Sequence, residues 1–163
     1  MPYLPISMST KSIPDNNNDL VGQVNQAELL DLLGYNVRRA YLVIQMHFDM
    51  QMEKLELRQA DFAVLSTLRH NPGINQKALA EALAIAPPNL ATLLDRLESG
   101  GLLARQRSTE DKRIQLVSLT PQGTKLHAQA LKAVHKADDA AVHRLSSDEQ
   151  RQLRLLVSKI FLD

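Results

Sequence analysis

From Ala27 to Lys54 the apolar positions recur on more than one helical stripe. Leu29, Leu33, Val37, Ala40, Ile44 and Phe48 follow at three- and four-residue steps, and Leu32, Tyr35, Leu42, Val43, Met46 and Met50 widen that face. The pattern predicts one long helix. So much of its circumference is apolar that, in a chain this small, a second copy is expected to supply part of the cover. A second helix is predicted from Arg58 to Arg69, with Phe62, Leu65 and Leu68 inward, stopped by the breaker His70-Asn71-Pro72-Gly73. A short helix, Asn75 to Leu83, comes next. Another runs from Pro87 to Glu98, with prolines in its first turn, where no internal N–H bond is needed, and Gly100 and Gly101 at its end. Leu102–Ser108 and Arg113–Thr120 are strand-like and flank the polar Thr109–Lys112, which predicts a β-hairpin. Thr120 and Pro121 then open a helix to Arg144, with Leu131, Val134, Ala137, Ala141 and Leu145 on its apolar face. In the last helix either Ser146 with Glu149 or Ser147 with Gln150 makes a capping box, and Leu153, Leu156, Val157 and Ile160 form the stripe.

The order is helix, helix, short helix, turn, helix, hairpin, helix, helix. The fold class expected is mainly α: a winged helix-turn-helix with a small β-hairpin wing and an all-helical dimerisation region. The winged helix is assigned to residues 57–120, the dimerisation region to 27–56 and 121–163, and residues 1–26, rich in Pro, Ser, Asn and Asp, to a poorly ordered arm in which Met8 is a second candidate start.

Composition narrows the setting. The chain of 163 residues has no cysteine, which removes disulfides and thiolate metal sites and fits a reducing cytoplasm, the expected location. No apolar run is long enough for a bilayer, and the first twenty residues lack a signal pattern, so no membrane partner is expected. The net charge of +1 decides little; the placement of charge decides more. Arg105, Arg107, Lys112 and Arg113 crowd the hairpin against Glu110 and Asp111. The helix Pro87–Glu98 is not basic: its front is Pro87, Pro88, Asn89 and Thr92, with Asp95, Arg96 and Glu98 behind.

These features suit double-stranded DNA as the partner. A short helix braces the next across a tight turn, and the second enters the major groove with its N-terminal residues at base edges. The wing reaches phosphates or the minor groove, where arginine is favoured. Pro87, Pro88, Asn89 and Thr92 then choose sequence, while the hairpin cations supply affinity. Arg113 is the expected minor-groove contact. Arg105 and Arg107 meet phosphates or support the wing, Arg96 packs, pairs or touches phosphate, and Asp111 pairs with a neighbouring arginine to fix the hairpin's shape.

Asn36, Arg39, Tyr41 and His47 are candidates for holding an aromatic carboxylate, although their helical faces differ and not all can line one pocket. For His47 the plainer reading is a satisfied core or interface histidine, and for His70 a helix-end role. His127, His135 and His143 have no metal spacing, so no metal is expected. No phosphate loop, nucleophile elbow or paired carboxylates beside a histidine are present, so neither enzyme chemistry nor a cofactor is expected.

The stretch from Ile74 to Gly123 resembles the winged helix of the MarR family of bacterial transcriptional regulators. The resemblance is carried by Leu79-Ala80 in the bracing helix, Asp95-Arg96-Leu97-Glu98 followed by Gly101, Asp111 and Arg113 in the wing, and Leu119-Thr120 with Gly123 at its close. Upstream, Leu33–Tyr41 and Ala60–Leu65 resemble that family's first two helices, so the likeness covers about Leu29 to the C-terminus. Two departures are visible. Pro88 and Asn89 stand where the family often has serine or threonine, and Leu57-Arg58 replaces Leu-Thr, losing a cap. The resemblance implies a triangular homodimer joined through its first and last two helices, on a palindromic site. It also implies a cavity between dimer region and winged helix that takes small aromatic or phenolic acids. The functional expectation is a ligand-responsive repressor; the alternative is a winged helix used as a protein-interaction module without DNA affinity.

Overall fold

The computed structural model describes residues 25–162, so the expected N-terminal arm lies outside the described residues except for Asn25 and Gln26. The described residues fall in two compact units, one up to Arg39 and one from Ala40 onward. Helix α1 is Ala27–Leu30 and α2 is Leu33–Met52. The single helix expected from Ala27 is therefore interrupted at Asp31 and Leu32. The cause is local: the Asn36 side-chain amide donates to the carbonyl of Leu30 at 2.6 Å and to that of Leu32 at 3.0 Å. Leu30's carbonyl thus goes to a side chain instead of an N–H four residues on.

In the second unit α2 ends in a 3₁₀ turn, Glu53–Leu55, and the chain reverses through Glu56 at φ 53°. Then come α3 (Gln59–His70), β1 (Ile74–Asn75), α4 (Gln76–Ala82), α5 (Pro87–Ser99), β2 (Leu103–Arg107), β3 (Gln115–Leu119), α6 (Pro121–Ala141) and α7 (Ser147–Ser158). Helix α6 stops three residues before the expected Arg144. The cap lost at Leu57-Arg58 is partly replaced: Asp61, in the first turn of α3, accepts the Arg58 N–H at 2.8 Å.

The sheet is antiparallel in the order β1-β3-β2, with Arg105 and Ile74 both opposite Val117. Strand β1 is a correction: its two residues are too short for any alternation, and Asn75, read as helical, is a strand residue and the α4 cap, accepting Ala78 N–H at 2.8 Å.

Two apolar clusters build this unit. Val64, Leu68, Leu79, Leu90, Leu94, Leu97, Leu103 and Val117 join α3, α4, α5 and the sheet. Phe48, Met52, Leu57, Leu65 and Ala130 join α2, α3 and α6. Leu102 and Leu119 pack against both, so the wing's base is where they meet. The same point is locked by backbone. Thr120 N–H donates to Leu102 O at 3.1 Å, and its hydroxyl donates to Gly101 O at 2.6 Å and accepts Gly123 N–H at 3.0 Å. A Cβ on Gly123 would lie 1.9 Å from Leu102 O, so only glycine allows α6 to start there.

Helix α6 buries Gly123, His127, Ala130 and Ala137; of the expected face Ala137 is buried, Val134 packs against the second cluster, Ala141 and Leu145 are partly buried, and Leu131 alone is exposed. The Ser146–Glu149 box caps α7, with Ser146 N–H donating to Glu149 Oε2 at 2.7 Å. Helix α7 buries nothing: Leu153, Leu156, Val157 and Ile160 all remain exposed, as do Leu42, Val43, Met46 and Met50 of α2.

Candidate nucleic-acid interface

Leu90, Leu94 and Leu97 sit at helical spacing and bury one face of α5. That burial turns Pro87, Pro88, Asn89 and Thr92 outward, and all four are exposed. Pro87 and Pro88 open the helix after Ala86. The Thr92 hydroxyl donates to Pro88 O at 3.2 Å, which leaves its lone pairs as acceptors toward solvent. The front of α5 is thus uncharged, as its residues imply.

The five cations read as contacts divide by their partners. Arg96 pairs with Asp61, a carboxylate 0% exposed between α3 and α5. Asp61 holds the Arg58 N–H with its other oxygen, so one buried group ties the start of α3 to α5. Arg105 is also committed. Its side chain is 16% exposed, 2.5 Å from Asp95 and 3.5 Å from Glu98, and its N–H donates to Glu98 at 3.0 Å. Asp95 and Glu98 lie one turn apart on α5, so Arg105 fastens the wing to that helix. Arg107 and Lys112 are exposed and make no ion pair among the described residues.

Arg113 lies at the wing's tip with its side chain 91% exposed. Asp111 clasps it, accepting its backbone N–H at 2.9 Å, Nε at 3.1 Å and Nη2 at 3.0 Å. The Arg113 side chain, then its backbone N–H, hold the Asp111 carboxyl below its ordinary pKa, and Asp111 in turn raises that of Arg113. Ser108 Oγ accepts the Glu110 N–H at 3.2 Å and shapes the turn. Beside the wing, Asn75, Gln76 and Lys77 of β1 and α4 line a notch of about 400 Å³ with Arg113, Ile114 and Gln115. From the sequence alone, these three α4-side residues and Asp61 carried no assigned functional role. The lone acid in the apolar run Ala60–Leu65 was the available signal for Asp61.

Of the four ligand candidates, two lie in each unit. In the first unit, Arg39 donates to the Tyr35 hydroxyl at 3.0 Å with its guanidinium over that ring, and Asn36 is taken by the α1–α2 break. In the second unit, Tyr41 donates to Gln59 Oε1 at 3.1 Å, and His47 is half-buried. Six residues apart, Tyr41 and His47 point about 120° from each other around a helix. An open groove of about 940 Å³ in the second unit has Met46, Asp49, Met50, Leu57 and Arg58 among its lining, and neither Tyr41 nor His47. No group of three potential metal ligands and no helix long and apolar enough to cross a membrane occurs among the described residues.

The model of the MarR family matches residues 57–115, from the start of α3 into β3. The transcriptional regulator HosA of Escherichia coli is 36% identical over 110 residues, 68% of this chain and 82% of that protein. Among solved structures, the transcriptional repressor CouR bound to a 23-mer DNA duplex superposes with a TM-score of 0.81 at 35% identity, over 85% of this chain and 98% of CouR. BpsR of Bordetella bronchiseptica, whose DNA binding is regulated by 6-hydroxynicotinic acid, gives 0.76 at 26% identity, over 82% and 95%.

Proposed function

The chain belongs to the MarR family of transcriptional regulators, and on that footing we propose that it is a homodimeric repressor released from a palindromic operator by a small aromatic acid. The observation that carries the DNA reading is the pairing of an uncharged, outward α5 front with cations confined to a wing that Arg105 fixes to the same helix. Pro87, Pro88, Asn89 and Thr92 read base edges. Arg113 enters the minor groove, and Arg107 and Lys112 meet phosphates. Arg105 and Arg96, held by their own carboxylates, position these elements instead of touching DNA. CouR, a repressor seen on a duplex, supports the sign of regulation and the partner.

Residues 57–120 act as the reading module, and residues 27–56 with 121–163 as the dimerising one. The exposed apolar positions of α2 and α7 support a second copy as their cover. BpsR's regulation by a hydroxylated aromatic acid supports that effector class. The groove along α2 offers Met46, Met50 and Leu57 as an apolar wall and Arg58 as a cation for a carboxylate.

The test is a salt titration with the duplex that the protein itself selects from a random pool. Affinity should fall steeply with salt, and Arg113→Ala should weaken binding and flatten the slope. No selected duplex, or a flat response, would overturn the reading in favour of a protein-interaction module. The uncharged α5 front is the one feature that favours that alternative. A thermal-shift screen of aromatic acids, with hits assayed for operator release, tests the effector class.

A further inference from the structure

The second apolar cluster has one titratable ring in its seam. His127, on α6, is 6% exposed and lies against α3. Its ring stacks on Phe62, with centroids 5.9 Å apart and planes 12° from parallel, and its Nε2 lies 3.2 Å from Ser66 Oγ. Phe62 in turn meets Phe48 of α2 edge-on at 6.1 Å. A column Phe48–Phe62–His127 therefore joins three helices, and α3 carries Asp61, which holds the recognition helix through Arg96.

The charges that act on His127 are those of Arg69 and His70, both at the C-terminal end of α3. No carboxylate pairs with the ring among the described residues; Phe48, on α2, brings no charge. A protonated imidazole here would gain a little from the Phe62 face. It would be buried without a counter-ion and near the Arg69 cation, which costs more.

We propose that the His127–Phe62–Ser66 contact is a proton-sensitive latch: neutral, it holds α6 against α3; protonated, it loosens that seam and weakens DNA binding. Burial, then His70 and Arg69, lower the His127 pKa below its ordinary value. A unit or more above pH about 6.5 the ring is neutral folded and unfolded, and the latch is closed. As pH falls from there toward the lowered folded value, the unfolded chain takes up the proton first, and stability declines over that window. The structural half of the latch is independent of the proposed function; its effect on DNA rests on that reading.

The experiment compares the full chain with His127→Phe, which keeps the stack and cannot titrate, and His127→Gln, used in its place if the phenylalanine variant does not fold. Amide exchange in residues 62–66 and 123–130 is measured at pH 7.5 and 5.5, corrected for the intrinsic pH dependence of exchange. The wild-type chain should lose about tenfold of its protection in both segments at the lower pH, while the variant changes less than about twofold. Affinity for the selected duplex should drop about tenfold in the wild type only, within the ordinary range of coupling between sites. Equal responses in wild type and variant, or none in the wild type, overturn the latch. A latch that opens in the exchange measurement while the wild type selects no duplex upholds the seam and removes the repressor reading alone.

Discussion

At the scale of single residues, what separates Arg105 from Arg107 is the partner each has across space. In the sequence they are two cations two places apart on one strand. In the structure Arg105 turns to Asp95 and Glu98 on α5, and Arg107 has no ion pair among the described residues. Arg107→Ala should therefore flatten the salt dependence of DNA binding. Arg105→Ala should weaken binding while leaving the slope unchanged, because it loosens the wing without removing a phosphate contact. Slopes measured for the two variants decide this. Arg96→Ala should destabilise the fold by about 2 kcal/mol, read by urea unfolding. That is below the cost of breaking a fully enclosed pair because Arg96 is partly in water, but it leaves Asp61 buried with one partner gone. Acid should open the Asp111–Arg113 clasp. Its contribution is complete above the ordinary carboxylate pKa and is lost as pH falls through the lowered value of Asp111, so the Arg113 Nε–H chemical shift should leave its hydrogen-bonded position only below the ordinary carboxylate range. The residue types in this wing were legible in the sequence. Their pairings were not, since Asp61 and Arg96 are 35 positions apart and nothing in periodicity links them.

The elements were easier to read than their faces. The winged-helix order came through because each piece carries its own punctuation: Pro87-Pro88 at a start, Gly100-Gly101 at an end, Thr120-Pro121 at the next start. In α6 the expected stripe was Leu131, Val134, Ala137, Ala141 and Leu145; Ala137 is buried and Val134 packs inward, but Leu131 is exposed, and the buried line continues through Ala130, His127 and Gly123, which apolar spacing passed over. The break before α2 was hidden because it depends on the side chain of Asn36, not on a breaker residue. The sharpest test at this scale is Gly123→Ala. The added carbon would meet Leu102 O at 1.9 Å, so the cost should be about 3 kcal/mol, a large loss for one methyl group, with near-UV circular dichroism recording the disturbed wing base.

For the whole molecule, the question is what covers the surface that folding leaves apolar. Leu153, Leu155, Leu156 and Val157 on α7 and Leu42, Val43, Ile44 and Met50 on α2 are more than a third exposed. A single chain in water would not keep such a run bare at low cost. Sedimentation equilibrium should give twice the mass of one chain, and Leu156→Glu should shift the population toward monomers and abolish operator binding together. A wild-type monomer at micromolar concentration would count against the dimer. This level was partly legible: the sequence marked α2 as too apolar all round to stand alone, but one chain's pattern cannot specify which residues of a second copy meet it.

The contact between Gly123 and the carbonyl of Leu102 bears on how such a protein can be recombined. Because the opening turn of α6 is seated on the segment that leaves α5, a chimera that transplants the reading helix and wing but ends the graft at residue 120 would join a foreign strand to a native helix across a backbone approach that leaves no room for a Cβ. Swaps of DNA specificity between relatives should carry the donor's residues through at least Thr124, and a crossover placed there should give soluble hybrids where one at residue 120 does not.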